Sequence, residues 1–268
     1  MAPDFLPRWS ITWSEVDMTD LEAVRKAVKP ATRLIWAETP TNPLMKVLDV
    51  SRLAEIAHAG GAQLLVDSTF PTPALLRPLQ HQADVTLHST TKYLGGHSDV
   101  QGGALVFARK DETFSRVTQI RKLLGFVASP FNSWLVLRGL RTLPSRMQVH
   151  SRNASKVASF LEQHPQVKQV AYPGLASHAG HKIAKEQMRD FGGMFSFRIK
   201  GGRQRAIDTA SRVQVFINAG SLGGSESLIQ HAASVMHPVG SIPDDLLRVS
   251  IGLEHPEDLI EDLRQALA

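Results

Sequence analysis

The chain has 268 residues, of which 43% are hydrophobic and 21% charged, with a net charge of +5 and no cysteine. This is enough for one large or two modest domains with a real core, at an ordinary globular composition. The missing cysteine excludes disulfides, thiolate metal sites and a cysteine nucleophile.

The opening MAPDFLPRWS has no basic segment followed by an apolar one, so no secretory signal is expected. No apolar run reaches the roughly 18 residues of a membrane span, and a cytoplasmic protein without a membrane partner is the expectation. Thr19-Asp20-Leu21-Glu22 has capping-box spacing, and Leu21, Val24 and Val28 then share a helical face. RLIWAE reads as a strand stopped by the two prolines of ETPTNP, and Ser51 to His58 as a helix ended by Gly60-Gly61. QLLVD at 63–67, the run from Asp84 to His88, and GALVF at 103–107 read as further strands. Their apolar character and the helical connection predict a largely parallel α/β sheet covered on both faces. Function in such sheets gathers beyond the carboxyl ends of the strands, where this chain carries Asn42, Asp67 and the group from Ser89 to Lys92.

Arg138, Arg141, Arg146 and Arg152 are the densest basic group. With no interleaved aromatics and no nucleic-acid motif, they predict a solvated or subunit-facing helix surface and no nucleic-acid partner. Pro144 marks a domain boundary, dividing 1–144 from 145–268. Beyond it, Ala154, Val157, Ala158 and Leu161 have the spacing of an amphipathic helix, and GMFSFRI, VQVFIN and LLRVSI read as strands. His178 and His181 are spaced for a metal on a helix, but no third ligand is evident and no metal is expected. The last helix opens at Pro256, with Glu257 and Asp258 complementing its dipole.

The chemistry concentrates in ADVTLHSTTKYLGGHSDVQGG at 83–103. A lysine at a strand terminus forms a Schiff base with a carbonyl if its amine is neutral, and desolvation favours that form. An aspartate on a neighbouring strand, Asp67, suits a pyridinium nitrogen, and the hydroxyls of Ser89 and Thr91 suit a phosphate. Taken singly, each has a plain explanation: a solvated loop lysine, a turn-capping aspartate, loop polarity. Together they describe a site for pyridoxal 5′-phosphate.

The segment DVTLHSTTKYLGGHS at 84–98 resembles the cofactor-attachment signature of the pyridoxal-phosphate enzymes of cysteine and methionine metabolism. These are the trans-sulfuration enzymes: cystathionine γ-synthases, cystathionine lyases, methionine γ-lyases and homoserine sulfhydrylases. ETPTNP, VDSTF, RGLRTL, YPGL, SLGGSESL and RVSIGLE are similar to the family's motifs, in its order, across essentially the whole chain. The resemblance implies the aspartate-aminotransferase-like fold (fold type I), with a partial large domain and a smaller C-terminal α/β domain. It implies that Lys92 carries the internal aldimine and shuttles protons, Asp67 pairs with the pyridine nitrogen, and Asn42 lies near the ring 3-oxygen. Ser89 and Thr91 would hold the phosphate, Arg248 the substrate α-carboxylate as a bidentate pair, and Ser221 would lie close to Lys92. It further implies a small amino-acid substrate, γ-elimination or γ-replacement, and a homo-oligomer, dimer or tetramer, whose sites draw on two subunits.

Three departures qualify the resemblance. Family members carry an upstream stretch with a phosphate-binding glycine loop, a ring-stacking tyrosine and a Tyr-x-Arg element, and none of these is found in this sequence. An N-terminally truncated member is therefore expected, and the alternative to an active enzyme is a catalytically silent fragment or paralogue that binds the cofactor weakly. Gly220 stands where many cystathionine enzymes have a glutamate, which predicts a weakened preference for cystathionine. The stretch from His237 to Arg248 is short for the family, which predicts an altered site rim.

Overall fold

The computed structural model describes residues 6–235 and 242–268. His237 lies outside the described residues, and with it part of the expected short rim segment.

The first sheet holds β1 (Leu34–Glu38), β2 (Gln63–Asp67), β3 (Val85–Ser89) and β4 (Gly103–Phe107), in that spatial order. β1, β2 and β3 run parallel, and β4 returns antiparallel along β3. Helix α1 (Leu21–Ala27) precedes β1, and α2 (Val50–Ala59) crosses from β1 to β2. Asp20, not Thr19, caps α1: its carboxylate accepts the N–H groups of Glu22 and Ala23, while the Thr19 hydroxyl donates to Asp17. Asp49 caps α2, and Gly60-Gly61 ends it as expected.

One face of the sheet is buried by α2. Ile35, Ala37, Leu64 and Val66 pack there against Leu53, Ala54 and Ala57. The opposite face departs from the two-sided cover expected from the apolar strands. On it Trp36 remains 56% exposed and Leu105 42% exposed, although Leu65 and Val85 on the same face are buried. A short helix α3 (Thr72–Leu75) follows β2; α4 (Glu112–Leu123) and α5 (Pro130–Leu140) follow β4. α4 buries no residue and α5 buries only Gly139, so Leu123, Phe126, Phe131, Trp134 and Leu137 face outward.

α6 (Leu143–Glu162) links the two halves, with Pro144 in its first turn. Leu143 and Met147 join the cluster of Met45, Phe70, Tyr93 and Leu222 beneath the loops between the sheets. Ala154, Val157, Ala158 and Leu161 are fully buried against the second sheet, as their spacing predicts. Arg146 is the correction on this helix. It is 6% exposed, turned inward, and donates to the Gly139 carbonyl and the Thr142 hydroxyl, whereas Arg138, Arg141 and Arg152 are exposed.

The second sheet has the order β5-β6-β9-β8-β7: β5 (Val167–Ala171), β6 (Met194–Ile199), β7 (Ile217–Asn218), β8 (Leu228–His231) and β9 (Leu246–Ser250). Helices α7 (His181–Gln187), α8 (Gly202–Arg212), α9 (Ala232–Val235) and α10 (Pro256–Leu267) complete the chain. VQVFIN yields only two strand residues, because the Asp262 carboxylate takes the N–H groups of Gln214, Val215 and Phe216 that a strand would spend on a neighbour. The His178 and His181 rings are engaged with local backbone, Nδ1 of His178 accepting from Gly180 and Nδ1 of His181 meeting the Pro173 carbonyl.

Candidate active site

The carboxyl ends of β1, β2 and β3 meet the second sheet, and the candidate residues collect in that seam. Lys92 lies in a tight turn over 90–94 that continues directly from β3, with a backbone kink at Lys92 itself (φ −94°, ψ −134°). The kink turns Nζ toward the loop before β8, where it donates to Ser221 Oγ at 2.8 Å. Burial, and then the neighbouring Arg248 guanidinium, push the Lys92 amine below its ordinary pKa. Both causes favour the neutral amine that nucleophilic and general-base chemistry require.

Ser221 has φ +85°, a left-handed conformation rare for a residue with a side chain. The residues around it explain why it is held there. Gly223 packs so tightly on the Lys92 turn that a Cβ would stand 2.7 Å from the Tyr93 nitrogen, and its N–H donates to Ser250 Oγ. The SLGG glycine thus lets the two loops touch through backbone, which places Ser221 over Lys92.

Arg248 comes from the middle of β9 and is 7% exposed. One arm donates to Asn42 Oδ1 at 3.3 Å and another to the Ser221 carbonyl at 3.0 Å. Among the described residues it forms no ion pair, so its charge is held by neutral acceptors alone. A buried guanidinium in that condition is suited to an incoming carboxylate. Asn42 lies between two cis bonds, Thr39–Pro40 and Asn42–Pro43, at the end of β1.

Asp67 ends β2. Its Oδ1 accepts the Thr69 N–H at 3.0 Å, a hydrogen bond that turns the chain, and Thr69 Oγ1 in turn accepts the Ser89 N–H at 2.9 Å. This relay fixes Asp67 relative to the start of the Lys92 turn. Thr91 is less free than Ser89: its hydroxyl contacts the Gly102 carbonyl at 3.4 Å and accepts the Gly102 N–H at 3.1 Å.

Lys92, Ser221, Arg248 and Asn42 therefore form one hydrogen-bonded chain, and Asp67 and Ser89 are tied through Thr69. Thr91 is adjacent but engaged with the loop around Gly102. The donor set suits a phosphorylated pyridine aldehyde: an amine eased toward neutrality, a carboxylate held by one N–H, and hydroxyls beside the amine. Sequence reasoning passed over two residues here. Thr69 stands in VDSTF, where a hydroxyl two residues after an aspartate signals a side-chain turn. Glu38, first residue of ETPTNP, is revealed only by strand register, which pairs it with Asp67.

Below the site lies a polar layer that no motif announced. Tyr93 is fully buried, with its ring edge-on to His150 at 5.1 Å between centroids. His150 Nδ1 meets the Ile251 carbonyl at 2.7 Å, and burial pushes its pKa down to about 4, leaving a neutral ring.

Comparison with known proteins places this geometry. The model of the Cys/Met metabolism PLP-dependent enzyme family matches residues 1–268. The chain is 51% identical to a cystathionine gamma-synthase of Mycobacterium tuberculosis over 265 residues, covering 97% of this chain and 68% of the relative. It is 46% identical to a cystathionine gamma-lyase of Bacillus subtilis, covering 98% of this chain and 71% of that protein. A crystal structure of metB from Corynebacterium glutamicum superposes with a TM-score of 0.96 at 42% identity, covering 99% of this chain and 70% of that one. Motifs, fold and similarity agree: the chain belongs to the family of PLP-dependent enzymes of Cys/Met metabolism.

Proposed function

We propose that the chain carries out trans-sulfuration chemistry on a sulfur amino acid or an activated homoserine, by γ-elimination or γ-replacement, with Lys92 as cofactor-anchoring amine and proton carrier. The observation that carries this reading is the Arg248–Ser221–Lys92 chain, a buried guanidinium without an anion linked through one serine to a half-buried amine. The names of the relatives, cystathionine gamma-synthase and cystathionine gamma-lyase, favour chemistry at the γ-carbon.

Bound at this site, pyridoxal 5′-phosphate supplies an electron sink for negative charge at the carbon that bears the substrate amine. The residues of the chain do the rest. Arg248 binds the substrate α-carboxylate, and Asn42, whose Oδ1 accepts from one arm of the guanidinium, would lie near the ring 3-oxygen. Lys92 Nζ would take the α-proton and, once that proton has been passed on and the amine is neutral again, a β-proton one carbon further along, which would let a γ-substituent leave or be replaced. Ser221 Oγ aims the amine between these positions. Asp67 holds a proton at the pyridine nitrogen, and Ser89 and Thr91 bind the phosphate.

Residues 1–144 and 145–268 would correspond to the cofactor-binding portion and a smaller domain. A homo-oligomer in the cytoplasm fits the same reading, supported by the outward apolar side chains of α4 and α5. Among the described residues no helix is long and apolar enough to cross a membrane.

The test is direct. The purified chain should take up pyridoxal phosphate with the visible absorption of a lysine-linked cofactor, and Lys92→Ala should abolish that band. A chain that stays colourless at saturating cofactor would overturn the enzyme reading and favour the silent paralogue.

A further inference from the structure

We infer that Glu38 is a positioning residue for the ring-nitrogen carboxylate, forming with Asp67 a carboxyl pair at the ends of β1 and β2 in which Glu38 is the member that holds the proton. The inference rests on the reading of Asp67 given above and goes beyond it, since nothing in the sequence motifs assigns Glu38 a task.

The placement follows from strand register. β1 and β2 are parallel, and their last residues, Glu38 and Asp67, are direct partners. Paired residues on adjacent parallel strands are about 4.8 Å apart at the backbone and direct their side chains to the same face. Both carboxyls therefore stand side by side at the carboxyl end of the sheet. The Thr39 N–H, one residue on, donates to the Asp67 carbonyl and continues the ladder past the pair, so the two ends are held together.

Two carboxyls held side by side do not both ionise easily; one retains a proton. Each accepts one backbone N–H, so the hydrogen bonds do not separate them and burial decides. Asp67 Oδ1 accepts the Thr69 N–H at 3.0 Å. Glu38 is pushed up to about 7, first by burial and then by Asp67, with the Asn42 N–H acting in the opposite direction. The other charged or titratable groups around the pair are His88 on β3, and Lys92 and Arg248 at the substrate end. His88 is held below its ordinary pKa by burial, with Nδ1 at 3.1 Å from the Ser68 carbonyl. Lys92 and Arg248 are joined to each other through Ser221 rather than to either carboxyl.

The consequence is a proton that responds to what Asp67 holds. A cation at Asp67, such as a protonated pyridine ring, offsets the carboxylate charge and lowers the cost of ionising Glu38. Glu38 then adds a second negative charge and strengthens the hold on that cation. Near neutral pH the pair behaves as a reserve carboxylate that is engaged only when the ring nitrogen is in place.

Infrared titration of the cofactor-free chain, followed by addition of pyridoxal phosphate, tests this. A protonated-carboxyl stretch should persist at pH 6.5, vanish in Glu38→Gln, and move to lower pH in Asp67→Asn. Pyridoxal phosphate should then diminish the stretch at pH 6.5 in the wild-type chain. If the stretch is absent from the wild type, survives in Glu38→Gln, or is unmoved by Asp67→Asn, the carboxyl pair is wrong. If the pair is present but cofactor leaves the stretch unchanged, the positioning role is wrong. The assignment of Asp67 itself fails separately, if Asp67→Asn binds pyridoxal phosphate as tightly as the wild type.

Discussion

Gly139→Ala isolates the contact that holds the Lys92 turn in place. Gly139 is the one residue of α5 that is buried, and a Cβ there would stand 2.3 Å from the Gly95 carbonyl oxygen and 2.4 Å from that of Leu94. Ordinary carbon–oxygen contacts lie at about 3.3–3.6 Å, so relief needs a displacement of roughly 1 Å between α5 and the turn. Both clashing atoms are backbone, and neither can rotate away. In an open helix the same substitution would stabilise by about 1 kcal/mol, since alanine is the better helix former. Overpacking costs about 1–3 kcal/mol or more, and straining the Arg146 bond to the Gly139 carbonyl adds about 1 kcal/mol. A net destabilisation of about 2 kcal/mol is expected, opposite in sign to the helix effect. Urea unfolding measures it, and pyridoxal-phosphate titration should show weaker uptake, because the displaced turn carries Lys92. A midpoint equal to or above the wild type, with unchanged cofactor affinity, would refute the close-approach account.

Glu38→Gln should change how stability depends on pH. The Glu38 carboxyl rises from 4.5 to about 7 on folding, so its contribution is complete below pH 4.5 and is lost as pH rises through 7. The full loss is about 3 kcal/mol, and the glutamine variant should gain most of that in unfolding free energy at pH 8 and little at pH 4. Arg248→Lys should lower kcat/KM for any accepted amino-acid substrate by about a hundredfold, because a single ammonium cannot reproduce the bidentate grip on a carboxylate. Ser221→Ala should lower kcat about tenfold with little change in stability, since it removes the acceptor of the Lys92 amine at an exposed position. Gly220→Glu should fold normally, as its Cβ would sit 3.4 Å from Gln230 Nε2, and should raise kcat/KM for cystathionine relative to methionine. Equal ratios in both proteins would remove Gly220 as a determinant of substrate choice.

Local patterns settled a good deal without any tertiary information. Runs such as QLLVD and GALVF became strands over their full length, since an apolar stretch bounded by turn residues has little else to do. The i, i+3, i+4, i+7 spacing of Ala154 to Leu161 became the buried stripe of α6. The type of site was legible because a lysine, an aspartate and hydroxyls at successive strand ends have a common chemical use. What sequence could not convey was direction and partnership. Arg146 looks like its exposed neighbours Arg138 and Arg141 until the turn of α6 points it inward. VQVFIN has the pattern of a strand, yet Asp262, far along the chain, captures its N–H groups. The link from Lys92 to Ser221 spans 129 positions, and the pairing of Glu38 with Asp67 depends on a register that no local spacing encodes. Composition and periodicity are short-range properties of a chain, and they fixed which residues were chemically able to form a site. Which of those residues touch was decided by close packing and burial, which exist only once distant segments have met.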